Sequence, residues 1–493
     1  MLFLAFFAYN SLVLFYFCKL CVISLAKATK YNYNIRSYMF IYNGKIIRSV
    51  GLLGIGKSNL GIYGYLREKY GNLRLTVRAA SGGALIPCAD RVLLGESMLS
   101  DISEDILFLS PSARRDRAEL AEAERRGVIL SSDAEFFFSE TKSDIYAVTG
   151  SDGKSTVAYL TARLLSGAYS SAVPCGNFGL ALTPLLKGGD GAAYVTELSS
   201  FQLNYMKPRS ECSVITNITE NHLDWHASFD EYINAKRNIL DNSRKRVLNF
   251  DCEISRGISG DYGLFAVFSR RLDGQQLKKL VRASLYVTEE GGIIKASGEP
   301  ILDVSKIRVG GEHNILNFMA AIALSFGKCN RESVLALAES FGGLPHRREL
   351  IGKFSGIKYY DSSIDTSPKR CAATLRSFDE RVILILGGHS KGLDFGELIP
   401  TLLRKTKKII VTGECADEIL SLLKKESAFS ERGITYVKIN GFHNAVEYAI
   451  KSASYGDCVL LSPAATSHDS FKNFEERGET FKKTVTDFYS ERN

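Results

Sequence analysis

Residues Thr149-Gly150-Ser151-Asp152-Gly153-Lys154-Ser155-Thr156 follow an apolar run, Ile145 to Val148, and precede a helix-like pattern. Glycines at such a junction let backbone N–H groups approach phosphate oxygens, Lys154 brings a positive charge to the terminal phosphates, and a hydroxyl of Ser155 or Thr156 can reach a metal ion. The guest that suits this chemistry is a nucleoside triphosphate. The full Walker spacing would ask for glycine where Val148 stands, so on this segment alone a plain strand-to-helix turn is the competing reading.

Three more residues bear on the same chemistry. Glu197 ends an apolar run in Glu197-Leu198-Ser199-Ser200-Phe201-Gln202-Leu203, a place that faces the phosphate loop in a parallel sheet. A hard cation such as Mg²⁺ takes oxygen ligands, so a carboxylate, a loop hydroxyl and the phosphates would complete its shell. Seen in isolation, Glu197 reads equally as a solvated edge acid. His222, in Asn217-Ile218-Thr219-Glu220-Asn221-His222, is either a neutral imidazole ligand or a satisfied loop histidine. Lys236, in Tyr232-Ile233-Asn234-Ala235-Lys236-Arg237, reads by itself as a surface lysine on a helix.

Such groups meet only where strand ends converge, and the chain alternates strand and helix patterns throughout. Ala192 to Glu197, Cys212 to Asn217 and Arg246 to Phe250 read as strands of a central parallel sheet, and Ser284 to Lys295 reads as a hairpin across Glu289-Glu290-Gly291-Gly292. A later block, opening after Gly342-Gly343-Leu344-Pro345, has strands near Ile357 to Tyr360, Arg381 to Leu386, Lys408 to Thr412, Ile434 to Ile439 and Cys458 to Leu461. An earlier block begins with one strand over Ile46 to Leu53, then Gly54-Ile55-Gly56-Lys57-Ser58-Asn59, a turn suited to a diphosphate at a helix start. Its glycine spacing is not G-x-G-x-x-G and no ribose-binding acid follows, which argues against hydride transfer. Leu107 to Leu109 reads as a later strand of this block, ending in the ligand-facing turn Ser110-Pro111-Ser112 with Arg114 and Arg115 beyond.

At 493 residues the chain is long enough for about three domains of roughly 150 residues. Three α/β domains are therefore expected: a Rossmann-like domain over 45–140, a central phosphate-loop ATPase domain over 141–341 and a second Rossmann-like domain over 342–493. The net charge of +8 suggests nucleic-acid binding until it is located: Lys19, Lys27, Lys30, Arg36, Lys45 and Arg48 lie in the first fifty residues, where no acid stands. The remainder is nearly balanced, so nothing outside that segment argues for a nucleic-acid footprint of the clustered Lys/Arg kind, and no nucleic-acid partner is expected. The cysteines are mostly scattered singly, as at Cys88, Cys175, Cys252 and Cys458, and suit a reducing compartment. Cys18 and Cys21 form the one C-x-x-C and read as packing residues.

Residues 1–44 are an extension of open status. Leu2 to Phe17 is strongly apolar and the run resumes after Lys19 as far as Ala26, so a membrane anchor, a packed helix and a segment preceding a working start at Met39 all compete. The expectation favours Met39, because the first core-like strand follows it.

These pieces, in this order, resemble the Mur ligase superfamily, the ATP-dependent amide-forming enzymes of peptidoglycan precursor synthesis, over about residues 45 to 490. The segment Leu461-Ser462-Pro463-Ala464-Ala465-Thr466-Ser467-His468-Asp469-Ser470-Phe471-Lys472-Asn473-Phe474-Glu475-Glu476-Arg477-Gly478 is similar to the signature of its D-glutamate-adding branch. Gly311-Glu312-His313-Asn314, Leu344-Pro345-His346-Arg347 and Gly387-Gly388-His389-Ser390-Lys391-Gly392 agree. The resemblance implies that Gly150, Ser151, Asp152, Gly153, Lys154, Ser155 and Thr156 hold ATP, with Asn314, Asn317 and Arg347 at the adenine and Asp361 on the ATP side of the last domain. It implies two magnesium ions on Ser155, Glu197, His222 and Lys236, the lysine being carbamylated. Gly54, Gly56, Ser110 and Asn177 would meet UDP-N-acetylmuramoyl-L-alanine, and Lys391, Ser467 and Phe474 would meet D-glutamate. Lys154, Glu197, His222 and Lys236 would carry the catalysis, through an acyl phosphate, in a cytoplasmic monomer.

The chain departs from the family pattern in places. Asp152 replaces an asparagine, Ser363 stands where many relatives have lysine in Asp-Ser-Lys, Ser110 stands at a usual glycine, and His468 at a usual apolar residue. Asp365, Thr366 or Lys369 would then take over the contact of the missing lysine. The alternatives are a sister ligase, of the tripeptide-forming or folylpolyglutamate kind, and a non-catalytic, membrane-tethered nucleotide-binding scaffold.

Overall fold

The computed structural model of the protein describes residues 39–80, 89–188, 191–220, 223, 225–389 and 393–490. The expectations for residues 1–38, Cys18 and Cys21 among them, and for Cys88, His222 and Lys391, lie outside the described residues. The chain divides into two compact units, the sequence boundary falling between Glu339 and Ser340. Among the described residues no helix is long and apolar enough to cross a membrane.

The first unit holds two parallel-rich sheets. The smaller has five strands in the order Arg91–Leu94, Arg74–Ala79, Ser49–Leu53, Ile106–Leu109 and Ile129–Ser131, all parallel. Ser49–Leu53 comes first in sequence and lies in the middle, so the chain leaves it toward both sides and opens a crevice at its carboxyl end. The single strand expected over Ile46 to Leu53 is broken at Arg48. Asp105 Oδ2 accepts the N–H groups of Arg48 at 2.7 Å and Ser49 at 2.8 Å, and the preceding Lys45–Ile47 pairs antiparallel with Phe40–Tyr42 instead. Phe40, Tyr42 and Ile47 pack with Val50, Ile62, Phe108 and Phe136, so this core begins upstream of residue 45.

The larger sheet has nine strands in the order Glu299–Asp303, Ile293–Ala296, Ala283–Glu290, Leu264–Ser269, Ser243–Asn249, Ser210–Ile215, Asp144–Thr149, Ala192–Glu197 and Ser171–Gly176. Strands covered on both faces need apolar runs rather than alternation, and every residue of Ala192–Glu197 is buried. The hairpin turns where expected: Glu290 pairs with Ile293, and Gly291 (φ 63°) and Gly292 (φ 81°) take the positive dihedrals that a two-residue turn demands. Asp144–Thr149 is the switch strand. Register places Glu197 beside Val148 and Ile215 beside Thr149, which brings three strand ends to one edge.

Packing between the two sheets of this unit is specific. Asp133, buried at the start of helix Asp133–Glu140, accepts the N–H groups of Leu182 (3.1 Å) and Thr183 (2.9 Å). Trp225 Nε1 donates to Ser112 O at 3.0 Å, under the Arg114 guanidinium 4.9 Å from the indole ring.

The second unit has six strands in the order Glu349–Phe354, Ile357–Asp361, Cys458–Leu461, Val382–Gly387, Thr406–Thr412 and Thr435–Lys438, antiparallel in the first pair alone. Cys458–Leu461, the last strand in sequence, inserts between Ile357–Asp361 and Val382–Gly387. The loop after it and helix Phe474–Ser490 carry the 461–478 segment on which the family resemblance was drawn.

Candidate active site

The loop between Thr149 and Lys154 is shaped by its glycines. Gly150 (φ 152°) and Gly153 (φ 79°) take dihedrals that L side chains rarely adopt, and a Cβ would collide with Thr216 Oγ1 at the first and Asn317 Oδ1 at the second. The neighbouring strand end braces the loop from beneath. Asn217 Oδ1 accepts the N–H groups of Ser151 at 3.1 Å and Asp152 at 2.8 Å, while Thr216 Oγ1 donates to Asp152 O at 2.6 Å. Asp152 thus enters the brace through its backbone. Ser151 Oγ shares a 2.8 Å hydrogen bond with Tyr232 OH and donates to Thr219 O at 3.0 Å. Gly153 caps helix Lys154–Leu165 with no side-chain acceptor, which leaves helix-start N–H groups available to an anion.

Charged groups converge on this loop. Lys154 Nζ folds back onto the carbonyls of Gly150 (3.0 Å) and Ser151 (2.9 Å). Ser155 Oγ donates to Glu197 Oε2 at 2.6 Å, and Asn177 Nδ2 to Glu197 Oε1 at 2.8 Å. Glu197 is 2% exposed, so it is not a solvated edge acid. Asn177 is placed by Gly176 (φ 95°), whose missing side chain admits Glu197 O, and by its own N–H to that carbonyl at 2.9 Å.

Lys236 is also 2% exposed, not a surface lysine. Its ammonium donates to Gly150 O at 2.7 Å and lies 4.5 Å from the centre of the Tyr232 ring. Desolvation, with the Lys154 charge second, lowers its pKa to about 7, so the neutral amine is well populated near neutrality.

Asn314 and Asn317 are buried on helix Glu312–Ser325, which packs on the phosphate-loop helix. Asn314 Nδ2 donates to Gly310 O at 2.9 Å, and Asn317 lies against Gly153. At the smaller sheet, Gly54 (φ 93°) and Ser110 come together: Ser110 N donates to Leu53 O at 3.0 Å, and a Cβ on Gly54 would lie 3.1 Å from the serine side chain. Gly56 begins helix Lys57–Lys69 with no side-chain cap. Asn59 Nδ2 secures the turn through the carbonyls of Leu53 (2.9 Å) and Gly54 (3.0 Å).

The second unit gathers a separate group of sequence-predicted residues. Asp361 is fully buried, and its Oδ2 meets His346 Nδ1 at 2.8 Å while its Oδ1 accepts Ser363 N–H at 2.8 Å. Gly478 packs onto this cluster so closely that a Cβ would strike His346 Nδ1 and come within 2.5 Å of Asp361 Oδ2 and Ser363 Oγ. Phe474 presents its ring edge-on to His346, with centroids 6.1 Å apart. Ser467 is buried in the loop before the helix, whereas Arg347 and His468 are exposed. The hydroxyl of Ser363 is buried without a hydrogen-bond partner. Asp365 is occupied by Ser462 Oγ at 2.8 Å, and the exposed Lys369 lies 4.0 Å from Glu397.

Sequence reasoning missed the bracing pair Thr216 and Asn217, the Ser151–Tyr232 hydrogen bond and the His346–Asp361 pair. His346, Glu349 and Asp361 are the one group of three or more His, Cys, Asp or Glu residues among the described residues with ligand atoms close enough for a metal. Gly478 lies on that group. The oxygen donors of Ser155 and Glu197 are the set a magnesium ion would use: hard, adjacent and beside the uncapped start of helix Lys154–Leu165.

Comparison with known proteins identifies the family. The chain is 36% identical over 458 residues to the UDP-N-acetylmuramoylalanine--D-glutamate ligase of Ruminiclostridium cellulolyticum, covering 89% of this chain and 96% of that one. It is 35% identical over 456 residues to the protein of the same name from Acetivibrio thermocellus, with the same coverage. Among solved structures, the UDP-N-acetylmuramate-alanine ligase of Thermotoga maritima is similar at 16% identity and a TM-score of 0.47 over 90% of this chain and 100% of that one; the assignment rests on the sequence relatives. Family models match residues 148–325 as a Mur ligase middle domain and 346–465 as a Mur ligase glutamate ligase domain. With the braced phosphate loop inside the first match, the Asp361 cluster inside the second and near-full-length relatives above 30% identity, the chain belongs to the Mur ligase family.

Proposed function

We propose that the protein is an ATP-dependent ligase that joins D-glutamate to UDP-N-acetylmuramoyl-L-alanine, a step of peptidoglycan precursor synthesis, working as a monomer in the cytoplasm. The observation that carries this reading is the convergence of Lys154, Ser155, Glu197 and Lys236 on one phosphate loop, in a chain whose relatives bear that name over nearly their whole length. We assign the UDP substrate to 45–140, ATP to 141–341 and the amino acid to 342–493.

The chemistry follows from the residues present. Helix-start N–H groups of the loop bind the triphosphate, and Lys154, now turned onto its own loop, has the reach and charge to follow the γ-phosphate. An oxygen of the alanyl carboxylate attacks the γ-phosphorus, the bond to the β,γ-bridging oxygen breaks, and ADP leaves an acyl phosphate. The D-glutamate nitrogen then attacks the acyl carbon. The carbon–oxygen bond to phosphate breaks, inorganic phosphate departs, and the amine proton passes to solvent. Both steps gather negative charge beside Lys154, and we assign Asn177, which is held against Glu197, to orienting the acyl group.

Magnesium held by Ser155 and Glu197, with a second ion at His222 and a carbamate on Lys236, would supply charge neutralisation at the phosphates. A carbamate forms when a neutral amine adds CO₂, and the lowered pKa of about 7 leaves a substantial share of Lys236 as the neutral amine near neutrality. In the second unit, Lys391, Ser467 and Phe474 are assigned to D-glutamate, and Asp361 and Arg347 to ATP.

The test is a coupled assay with ATP, UDP-N-acetylmuramoyl-L-alanine and D-glutamate. ADP release that needs both other substrates, with one amide product of the expected mass, supports the reading. Turnover with another amino acid and none with D-glutamate would move the chain to a sister ligase, and no turnover with any would favour a binding scaffold.

A further inference from the structure

Arg477 is a guanidinium 2% exposed, near the start of helix Phe474–Ser490. Its Nη1 donates to Thr466 O at 3.2 Å, and its Nη2 donates to Ala465 O and Ser363 O, both at 3.1 Å. Every acceptor it has among the described residues is a backbone carbonyl, and its Nε is buried without a partner. A buried charge whose hydrogen bonds all go to neutral acceptors is costly to keep; desolvation lowers its pKa to about 10 against the opposing pull of the Asp469, Asp361 and Asp365 charges. Such a residue must hold something that a smaller apolar side chain would not.

The structure shows what it holds. Ser363 lies just beyond strand Ile357–Asp361, and Ala465 and Thr466 lie in the loop after Cys458–Leu461. Thr466 in turn exchanges backbone hydrogen bonds with His389, N to O at 3.2 Å and O to N at 2.9 Å, just after Val382–Gly387. Gly388 approaches so closely that a Cβ there would lie 3.0 Å from Arg477 Nη1. One planar fork therefore links the segments after two neighbouring strands directly and a third through the Thr466–His389 pair, and the next residue after Thr466 is the buried Ser467.

We propose that Arg477 is a positioning residue for the amino-acid substrate: by fixing the carbonyls of Ser363, Ala465 and Thr466 it sets Ser467 and the Gly387–His389 turn in the arrangement that binds D-glutamate. This rests on the assignment of D-glutamate to this unit. Lysine keeps the charge but not the fork, since a single ammonium cannot reproduce the directed N–H groups of a guanidinium. Glutamine keeps a planar donor without the charge.

Steady-state kinetics of full-length wild type, R477K and R477Q, with folding checked by circular dichroism, test it. The expected result is a KM for D-glutamate raised at least tenfold in both variants, with the KM values for ATP and UDP-N-acetylmuramoyl-L-alanine within twofold of wild type. A folded variant with an unchanged KM for D-glutamate, or with all three raised together, overturns the proposal, as does failure of both variants to fold, which would make Arg477 a general stabiliser. Absence of D-glutamate ligation by the wild type would instead overturn the functional reading beneath it.

Discussion

The Ser155 hydroxyl donates a 2.6 Å hydrogen bond to Glu197 Oε2, tying the first turn of the phosphate-loop helix to the end of the adjacent strand. Two oxygens that close, on separate elements at one sheet edge, are poised to share a cation in place of the proton. The E197Q variant keeps the shape and removes the charge. Its kcat is expected to fall by at least about 10²-fold, in line with loss of one preorganised charge at a transition state, with half-saturation by Mg²⁺ moved to higher concentration. An unchanged magnesium titration would remove Glu197 from the metal site.

Lys236 gives a second test, because a carbamate there would supply an anionic oxygen where the sequence supplies an amine. K236A is expected to be nearly inactive and partly rescued by acetate or formate, which can occupy the vacated oxygen position. Wild type incubated with ¹³C-bicarbonate should show a carbamate resonance that K236A lacks. An unmodified Lys236 in active enzyme, with no rescue, would take the carbamate out of the mechanism.

The same lysine makes stability depend on pH. Its folded pKa, about 7, lies below the unfolded value near 10.5, so between those values the unfolded chain binds more protons and stability rises with pH. The penalty is complete below about pH 7 and gone above about pH 10.5. In metal-free, CO₂-free buffer, K236M should therefore be more stable than wild type at pH 6.5, and the gap in urea midpoint should narrow as the pH approaches 10. A constant gap would mean that the ammonium is not desolvated.

Gly478 tests the packing of the second unit. A methyl group there meets His346, Asp361 and Ser363 at once, and none of these is the far end of a long flexible chain. G478A should lose about 1–3 kcal/mol, the usual cost of forcing a group into a packed site. A melting temperature equal to wild type would show that the helix can shift away.

The strand, glycine turn and helix at 144–165 were legible in the sequence because their information is local: glycines, lysine and hydroxyl fall within eight residues, after an apolar strand. The burial of Lys236 was legible too, though unread. Tyr232, Ala235, Ile239 and Leu240 form the apolar stripe of helix Phe229–Asp241, and Lys236 falls inside it at helical spacing. The break at Arg48 was not legible, since it depends on Asp105, which lies far along the chain. The His346–Asp361 pair depends likewise on the antiparallel pairing of Glu349–Phe354 with Ile357–Asp361. Arg477 stood in the 461–478 segment that carried the resemblance, but a sequence places arginine on the surface by default.

The most direct test of the central claim follows the oxygen atoms. UDP-N-acetylmuramoyl-L-alanine carrying ¹⁸O in both carboxylate oxygens is turned over with ATP and D-glutamate, and the released phosphate is examined by ³¹P NMR. Attack of the carboxylate on the γ-phosphorus predicts one ¹⁸O in each inorganic phosphate, one retained in the amide, and ADP as the nucleotide product. Unlabelled phosphate, or label in AMP with release of pyrophosphate, would contradict the acyl-phosphate route.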